Sequence, residues 1–181
     1  MTSKETQKVL EHWRDAVPDD RLAHLIKDAR RALVRGLQMR LNDHNVSFGH
    51  WAFLRILWEQ DGLTQRELSE HAGVMEPTTY AAMKAMEALG YVERRHLPGN
   101  NKNIHVFLTR SGRALKKKLI PLAEEINEIG TRGLKSSEVQ IARHVLLTII
   151  SNMADDEDSI ENSKRTIPST RELSRRINNA A

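Results

Sequence analysis

The chain has no cysteine. That excludes disulfides, thiolate nucleophiles, cysteine-based zinc sites and thiol redox switching together. Aromatic residues are also scarce, 4% of the 181 residues, beside 39% hydrophobic and 29% charged. Few aromatics among many Leu, Ile, Ala and Met favour helix over sheet. No run approaches the ~20 apolar residues of a membrane span. The opening MTSKETQKVLEHW lacks the apolar centre of a signal peptide, so a cytoplasmic protein is expected. Catalytic patterns are missing too: no Ser/His/Asp order, no phosphate-binding glycine loop and no paired-carboxylate motif. The chain does not read as an enzyme, and nothing in it asks for a cofactor.

What is present is charge in blocks. The net charge is only +4, but between Gly90 and Lys118 eight basic residues stand against one acid, Glu93. Asp155 to Glu161, DDEDSIE, is an acidic block. A basic segment set apart from an acidic one suggests a surface that faces a polyanion, a solvated charged face being the plainer alternative. The length fits one domain, or one domain with an arm and a tail.

Periodicity divides the chain. Residues 1–20 are polar, end in VPDD and read as a loosely held N-terminal arm. Leu22, Leu25, Ile26, Ala29, Leu33, Leu37 and Leu41 recur at helical spacing and predict a long amphipathic helix. VSFGHWAFLRILWEQDG is apolar nearly all round, as a buried central helix would be, and Asp61-Gly62 ends it. LTQRELSEHAG opens on a capping box, Thr64 with Glu67. VMEPTTYAAMKAMEALG follows, with Pro77 suited to a first turn and Gly90 to a left-handed stop. Two short helices joined by a glycine turn predict a helix-turn-helix.

RRHLPGNNKNIHVFLT, Arg94 to Thr109, then alternates as a hairpin whose tip holds one cation and no acid. Thr109 caps a further helix interrupted by Pro121, expected to kink it or to mark its second half. A last apolar helix starts at a Ser136/Ser137 cap, and the polar tail holds one further candidate helix, STRELSRRI. The fold expected is therefore mainly α with a small β-hairpin wing: a winged helix-turn-helix at 46–109, a helical region at 21–45 and 110–155, and a charged C-terminal tail at 156–181.

A reading helix needs one face packed and one small polar face free. Thr79, Ala82, Met83, Met86 and Leu89 form the packed side of the pattern; Pro77, Thr78, Tyr80, Ala81 and Lys84 form the other. No Arg, Asn or Gln lies on that face, so specificity is expected to lean on the hairpin, DNA shape and dimer spacing. The candidate DNA contacts are Thr64 and Gln65 at the first short helix, Thr78, Thr79, Tyr80 and Lys84 on the second, and Arg94, Arg95, Asn100 and Lys102 in the hairpin.

The run LTQRELSEHAGVMEPTTYAAMKAMEALGYVERR…VFLTRSGRAL resembles the MarR family of transcription regulators over roughly Arg21 to Asp155. Its LT-x-x-G-x-x-L exit from the wing is among the family's better markers. The resemblance implies a homodimer, with the first and last helices of each chain interlocked as a dimerisation domain. The leading expectation is then a repressor released from a double-stranded operator by a small-molecule effector, with dimer symmetry predicting a near-palindromic operator. Family wings usually carry Asp-x-Arg at the tip; here those positions are Asn100 and Lys102, which cannot form that ion pair. Lys102 is then expected to touch phosphate, with Arg94 and Arg95 supplying charge at the hairpin base. Arg40, His44, His50, Trp51 and Trp58 form a candidate ligand cluster near where family ligands sit, suited to an aromatic acid or its CoA thioester, or else simply core. Lys27, Arg31 and Arg35 make a basic stripe, suited to the phosphates of a CoA ligand but better read as a solvated face. A metal-responsive regulator and a non-regulatory winged-helix protein-interaction module are the alternatives. No metal ligands are assigned, because Asp43, His44 and His50 lack a supporting spacing.

Overall fold

The computed structural model describes residues 3–15 and 22–162, without the side chains of residues 3–5, 15, 100–102 and 161–162. The STRELSRRI segment lies outside the described residues. They contain seven α-helices and one two-stranded antiparallel sheet. The chain divides into two compact units, Met1–Gly130 and Thr131–Ala181.

In the first unit, α1 (Ser3–Asp15) takes the place of the expected arm. Val9 and Trp13 are half-buried at an i, i+4 spacing, and the Trp13 indole N–H donates to Asp28 at 3.1 Å. Apolar residues at that spacing give this polar segment a docking stripe. Its partner is α2 (Leu22–Asn42), as the heptad-like Leu pattern predicts.

α3 (Phe48–Glu59) is the central helix, burying Trp51, Phe53, Leu54 and Leu57. Ser47 caps it, accepting from the His50 N–H. α4 (Gln65–Ala72) begins with the expected capping box: the Thr64 hydroxyl accepts from the Glu67 N–H, and the Glu67 carboxylate accepts from the Thr64 N–H. It ends at Gly73, left-handed at φ 62°. α5 (Glu76–Ala88) has Pro77 in its first turn, where a missing N–H costs nothing. Gly90 is left-handed at φ 73°. Leu89, expected on the packed face, instead closes the helix and stays 43% exposed.

β1 (Val92–Leu97) pairs with β2 (Asn100–Leu108) from Val92↔Leu108 to His96↔Ile104. The register then slips, and Leu97 meets Asn100. Asn101, Lys102 and Asn103 are therefore extra residues on the second strand, a bulge at the tip. At the root, Val106 exchanges backbone hydrogen bonds with Gly62 and Leu63, so the α3–α4 connection adds a short third edge.

α6 (Arg110–Gly130) runs as one helix through Pro121. It lies close along α2: a Cβ on Gly36 would sit 2.9 Å from Ile126, and one on Gly130 would sit 2.8 Å from Leu33. One core joins these elements, with Leu41, Leu54, Leu57, Leu68, Met83, Met86, Val92, Val106 and Leu119 fully buried.

In the second unit, α7 (Ser136–Asn162) runs through the acidic block, seven residues beyond the predicted helical limit at 155. It is not capped by Ser136 or Ser137. Both serines lie inside the helix, and Glu138 accepts from the Lys135 N–H at 2.7 Å instead. Ile141, Val145, Leu146, Leu147, Ile150 and Met153 are exposed along it. No described helix is long and apolar enough to cross a membrane.

Candidate nucleic-acid interface

The packing of α4 against α5 decides which side chains of α5 are available. Thr79, Met83 and Met86 point inward, and Thr79 is 0% exposed. Its hydroxyl accepts from Ser69 at 2.8 Å, and Ser69 donates alternatively to the Gln65 carbonyl at 2.9 Å. Thr79 is thus a buried polar contact between the two helices, and its place among the DNA contacts is withdrawn. The packed side of the pattern, on which it also stood, is where it belongs.

The opposite face carries Pro77, Thr78, Tyr80, Ala81 and Lys84, all exposed, with Tyr80 at 52%. Hydroxyls, an amine and small apolar groups in one strip can meet base edges and phosphates. Thr64 is half-buried and occupied by its capping box. Gln65 is half-buried beside it, with its amide nitrogen enclosed and without a hydrogen-bond partner. The Glu67 carboxyl is held below its ordinary range, first by the Thr64 N–H and then by the Thr64 hydroxyl.

The two arginines at the hairpin base differ. The Arg94 guanidinium donates to Glu87 through Nε at 2.8 Å and Nη2 at 2.6 Å, and the Arg94 N–H donates to the other carboxylate oxygen at 3.1 Å. Its Cζ lies 5.6 Å from the centre of the Tyr80 ring, and only 18% of the side chain is exposed. Hydrogen bonding to Glu87 raises the Arg94 pKa against the cost of burial, and the same bond lowers that of Glu87. Arg95 is outward, 55% exposed, lying 4.1 Å from the Phe107 ring centre with Glu93 at 3.4 Å. A guanidinium on an aromatic face is held in plane while its edge stays available to an anion. The Asn100 and Lys102 side chains lie outside the described residues; their backbones are at the bulged tip.

Two contributors escaped the sequence reading. Glu87 gave no signal beyond standing seven residues before Arg94. Asp61, read only as the end of a helix, accepts from the Gly62 N–H at 3.1 Å, the Leu108 N–H at 2.8 Å and Arg113 at 2.7 Å. It joins the end of α3, the outgoing wing strand and α6. The LT-x-x-G-x-x-L marker also acquires a physical reason. Thr109 caps α6 by accepting from the Gly112 N–H at 3.0 Å, Gly112 lies against the Tyr91 carbonyl, and Leu115 is buried.

Residues 46–104 match the family model described as MarR family. The matched stretch runs from α3 through α4, α5 and β1 into β2, so the helix-turn-helix and most of the wing are similar to that family. The HTH-type transcriptional regulator TtmR of Methylorubrum extorquens is 28% identical over 138 residues, covering 76% of this chain and 68% of TtmR. A MarR family regulator from Listeria monocytogenes, solved with a 26mer DNA, superposes with TM-score 0.66 at 23% identity, over 78% of this chain and 94% of that one. Bordetella bronchiseptica BpsR, whose DNA binding is regulated by 6-hydroxynicotinic acid, superposes with TM-score 0.64 at 23% identity, over 73% and 99%. These relatives are named as transcriptional regulators, none of them as an enzyme.

The candidate ligand cluster is only partly assembled. Trp51 and Trp58 meet edge to face at 5.7 Å, but Trp51 is buried and the Trp58 indole N–H donates to the Gly112 carbonyl at 3.0 Å. Arg40 forms a two-point pair with Glu125, 2.9 Å at each contact. The His44 carbonyl accepts from the Tyr91 hydroxyl at 3.1 Å. His50 is half-buried with Nδ1 unpartnered, and burial lowers its pKa. A cavity of about 450 Å³ opens elsewhere, between α1 and α2, lined by Val9, Trp13, Leu25, Ala29, Arg31 and Arg35. Two of the three cations in the proposed basic stripe thus border an apolar recess. Among the described residues no three His, Asp or Glu side chains gather as metal ligands.

Proposed function

We propose that this regulator is a homodimeric repressor that binds a near-palindromic operator and is released by a small aromatic acid or its CoA thioester. The observation that carries the DNA-reading part is the exposed strip Thr78–Tyr80–Lys84 beside the basic hairpin. Dimerisation is supported by α7. Its exposed Ile141, Val145, Leu146, Ile150 and Met153 are a large apolar surface for a single chain, of the kind a second copy covers. In this reading the helical regions at 21–45 and 110–155 form the dimerisation domain. A two-fold dimer reads two half-sites about 10 bp apart.

The acid-responsive part is supported by BpsR, whose DNA binding responds to 6-hydroxynicotinic acid, itself an aromatic acid. Further support comes from relatives named as repressors: NicR of Pseudomonas putida and the homoprotocatechuate degradative operon repressor of Escherichia coli. In this chain, His50 with its unpartnered nitrogen beside Trp51 is the group through which a carboxylate would be bound.

The test has three arms. Duplexes enriched by the full chain from a random library should contain an inverted repeat. Sedimentation should give twice the chain mass. A panel of aromatic acids and their CoA thioesters should include one that raises the melting temperature and lowers affinity for the enriched duplex. A monomer that enriches no repeat would end the dimeric-operator reading. A panel with no effect on melting or affinity would end the effector reading.

A further inference from the structure

We propose that Arg94 is a positioning residue for base reading: it holds the Tyr80 ring in place on α5 and makes no phosphate contact of its own. The proposal rests on the DNA-binding reading and assigns part of its specificity.

The geometry sets Arg94 apart from an ordinary DNA-facing cation. Tyr80 and Glu87 are seven residues apart on α5, two helical turns along one side. Arg94 enters from β1 and spans them, its guanidinium on the Glu87 carboxylate and its Cζ over the Tyr80 ring, 5.6 Å from the centre. Two donor atoms on one carboxylate oxygen, plus the backbone N–H on the other, leave the group little freedom. With 18% of the side chain exposed and its charge met by Glu87, Arg94 is poorly placed to recruit a phosphate. Tyr80 is the large side chain on the exposed strip, and an unrestrained ring would lose rotamer freedom on docking. A cation fixed against its face removes that loss beforehand. Arg95, outward on Phe107, is the arginine of the pair left to face the backbone of DNA.

The two roles separate in binding data. A phosphate contact adds affinity to every sequence and contributes about 0.9 to the slope of log affinity against log salt. A residue acting through Tyr80 changes the ratio between specific and shuffled duplexes and leaves that slope alone. The probes are a duplex enriched by the wild-type full chain from a random library and its shuffled counterpart. Each is measured by fluorescence anisotropy at several salt concentrations.

Arg94→Lys keeps the charge but loses the planar fork. It should lower the specific-to-shuffled ratio about tenfold, the size of one misread base pair, with the salt slope unchanged. Glu87→Gln, which leaves Arg94 intact but loosens it, should lower the ratio in the same direction. In a Tyr80→Ala background neither change should lower it further. The proposal is overturned if Arg94→Lys retains the wild-type ratio, if Arg94→Gln weakens both duplexes equally with a slope reduced by about 0.9, or if the effects persist without Tyr80. Failure of the wild-type chain to enrich any duplex would instead overturn the DNA-binding reading itself.

Discussion

Gly112→Ala inverts the usual helix rule, in which alanine is favoured over glycine by about 1 kcal/mol. Gly112 lies in the first turn of α6, pressed against the backbone of Tyr91. A Cβ there would fall inside the Tyr91 carbonyl oxygen, 3.0 Å from its carbon and 3.1 Å from the Leu108 side chain. The main obstacle is backbone, so it cannot rotate away. Forcing α6 back costs about 1–3 kcal/mol as overpacking. It also strains two hydrogen bonds, Thr109 to the Gly112 N–H and Trp58 to the Gly112 carbonyl, at about 1 kcal/mol each. Less the gain from alanine, the variant should lose about 2–4 kcal/mol, a fall in melting temperature of about 4–16 °C for a chain of this size. The assay is thermal unfolding by circular dichroism at fixed protein concentration. Gly49→Ala is the internal control, because a Cβ there meets only the Ser47 hydroxyl at 3.7 Å. It should be neutral or slightly stabilising. A Gly112→Ala protein that melts at or above wild type, or no lower than Gly49→Ala, would refute the reasoning.

Thr79→Val should cost about 0.5–1.5 kcal/mol of stability by removing one of the two acceptors of the Ser69 hydroxyl, which keeps the Gln65 carbonyl, while leaving the DNA salt slope unchanged; denaturant melts and anisotropy together check this. His50 has a folded-state pKa below its ordinary 6.5, so its contribution is present above about pH 6.5 and fades as pH falls toward the lowered value. Unfolding profiles from pH 8 to 5 should therefore slope less in His50→Gln than in wild type, and equal slopes would count against the burial argument. Glu67, Glu87 and Glu125 are also lowered, so a second loss of stability should come below about pH 4.5 and shrink in Glu87→Gln. Ile150→Glu on α7 should shift sedimentation from two chain masses toward one, with an unchanged mass counting against that face as the dimer contact.

Most of the helix-turn-helix was legible because its punctuation is local. A Thr three residues before a Glu, a Pro in a first turn and glycines at positive φ each act within a few residues, and the structure has them at 64, 67, 73, 77 and 90. What escaped depends on distance in sequence. The Trp13–Asp28 bond turns a polar segment into a docked helix only once α2 is beside it. Thr79 could be read as packed or as reaching DNA, because its spacing allows either; the Ser69 hydroxyl ten residues away decides. Arg94 and Arg95 are adjacent cations in sequence, yet strand alternation sends one to Glu87 and the other to Phe107. The hairpin's placement was plain, but its slipped register was not, since nothing in NNKN marks which residues lose their partners.

Asp61 carries a mechanical consequence. One carboxylate grips the outgoing wing strand with one oxygen and α6 with the other. A tilt of α6 is thereby passed through this one side chain to the root of the wing. Because the bulged tip is the part of the hairpin farthest from that root, any change of angle at the root displaces it most. A pull of an ångström at that root is magnified along the hairpin, so a small shift in the helices can become a large change in how the wing meets a groove.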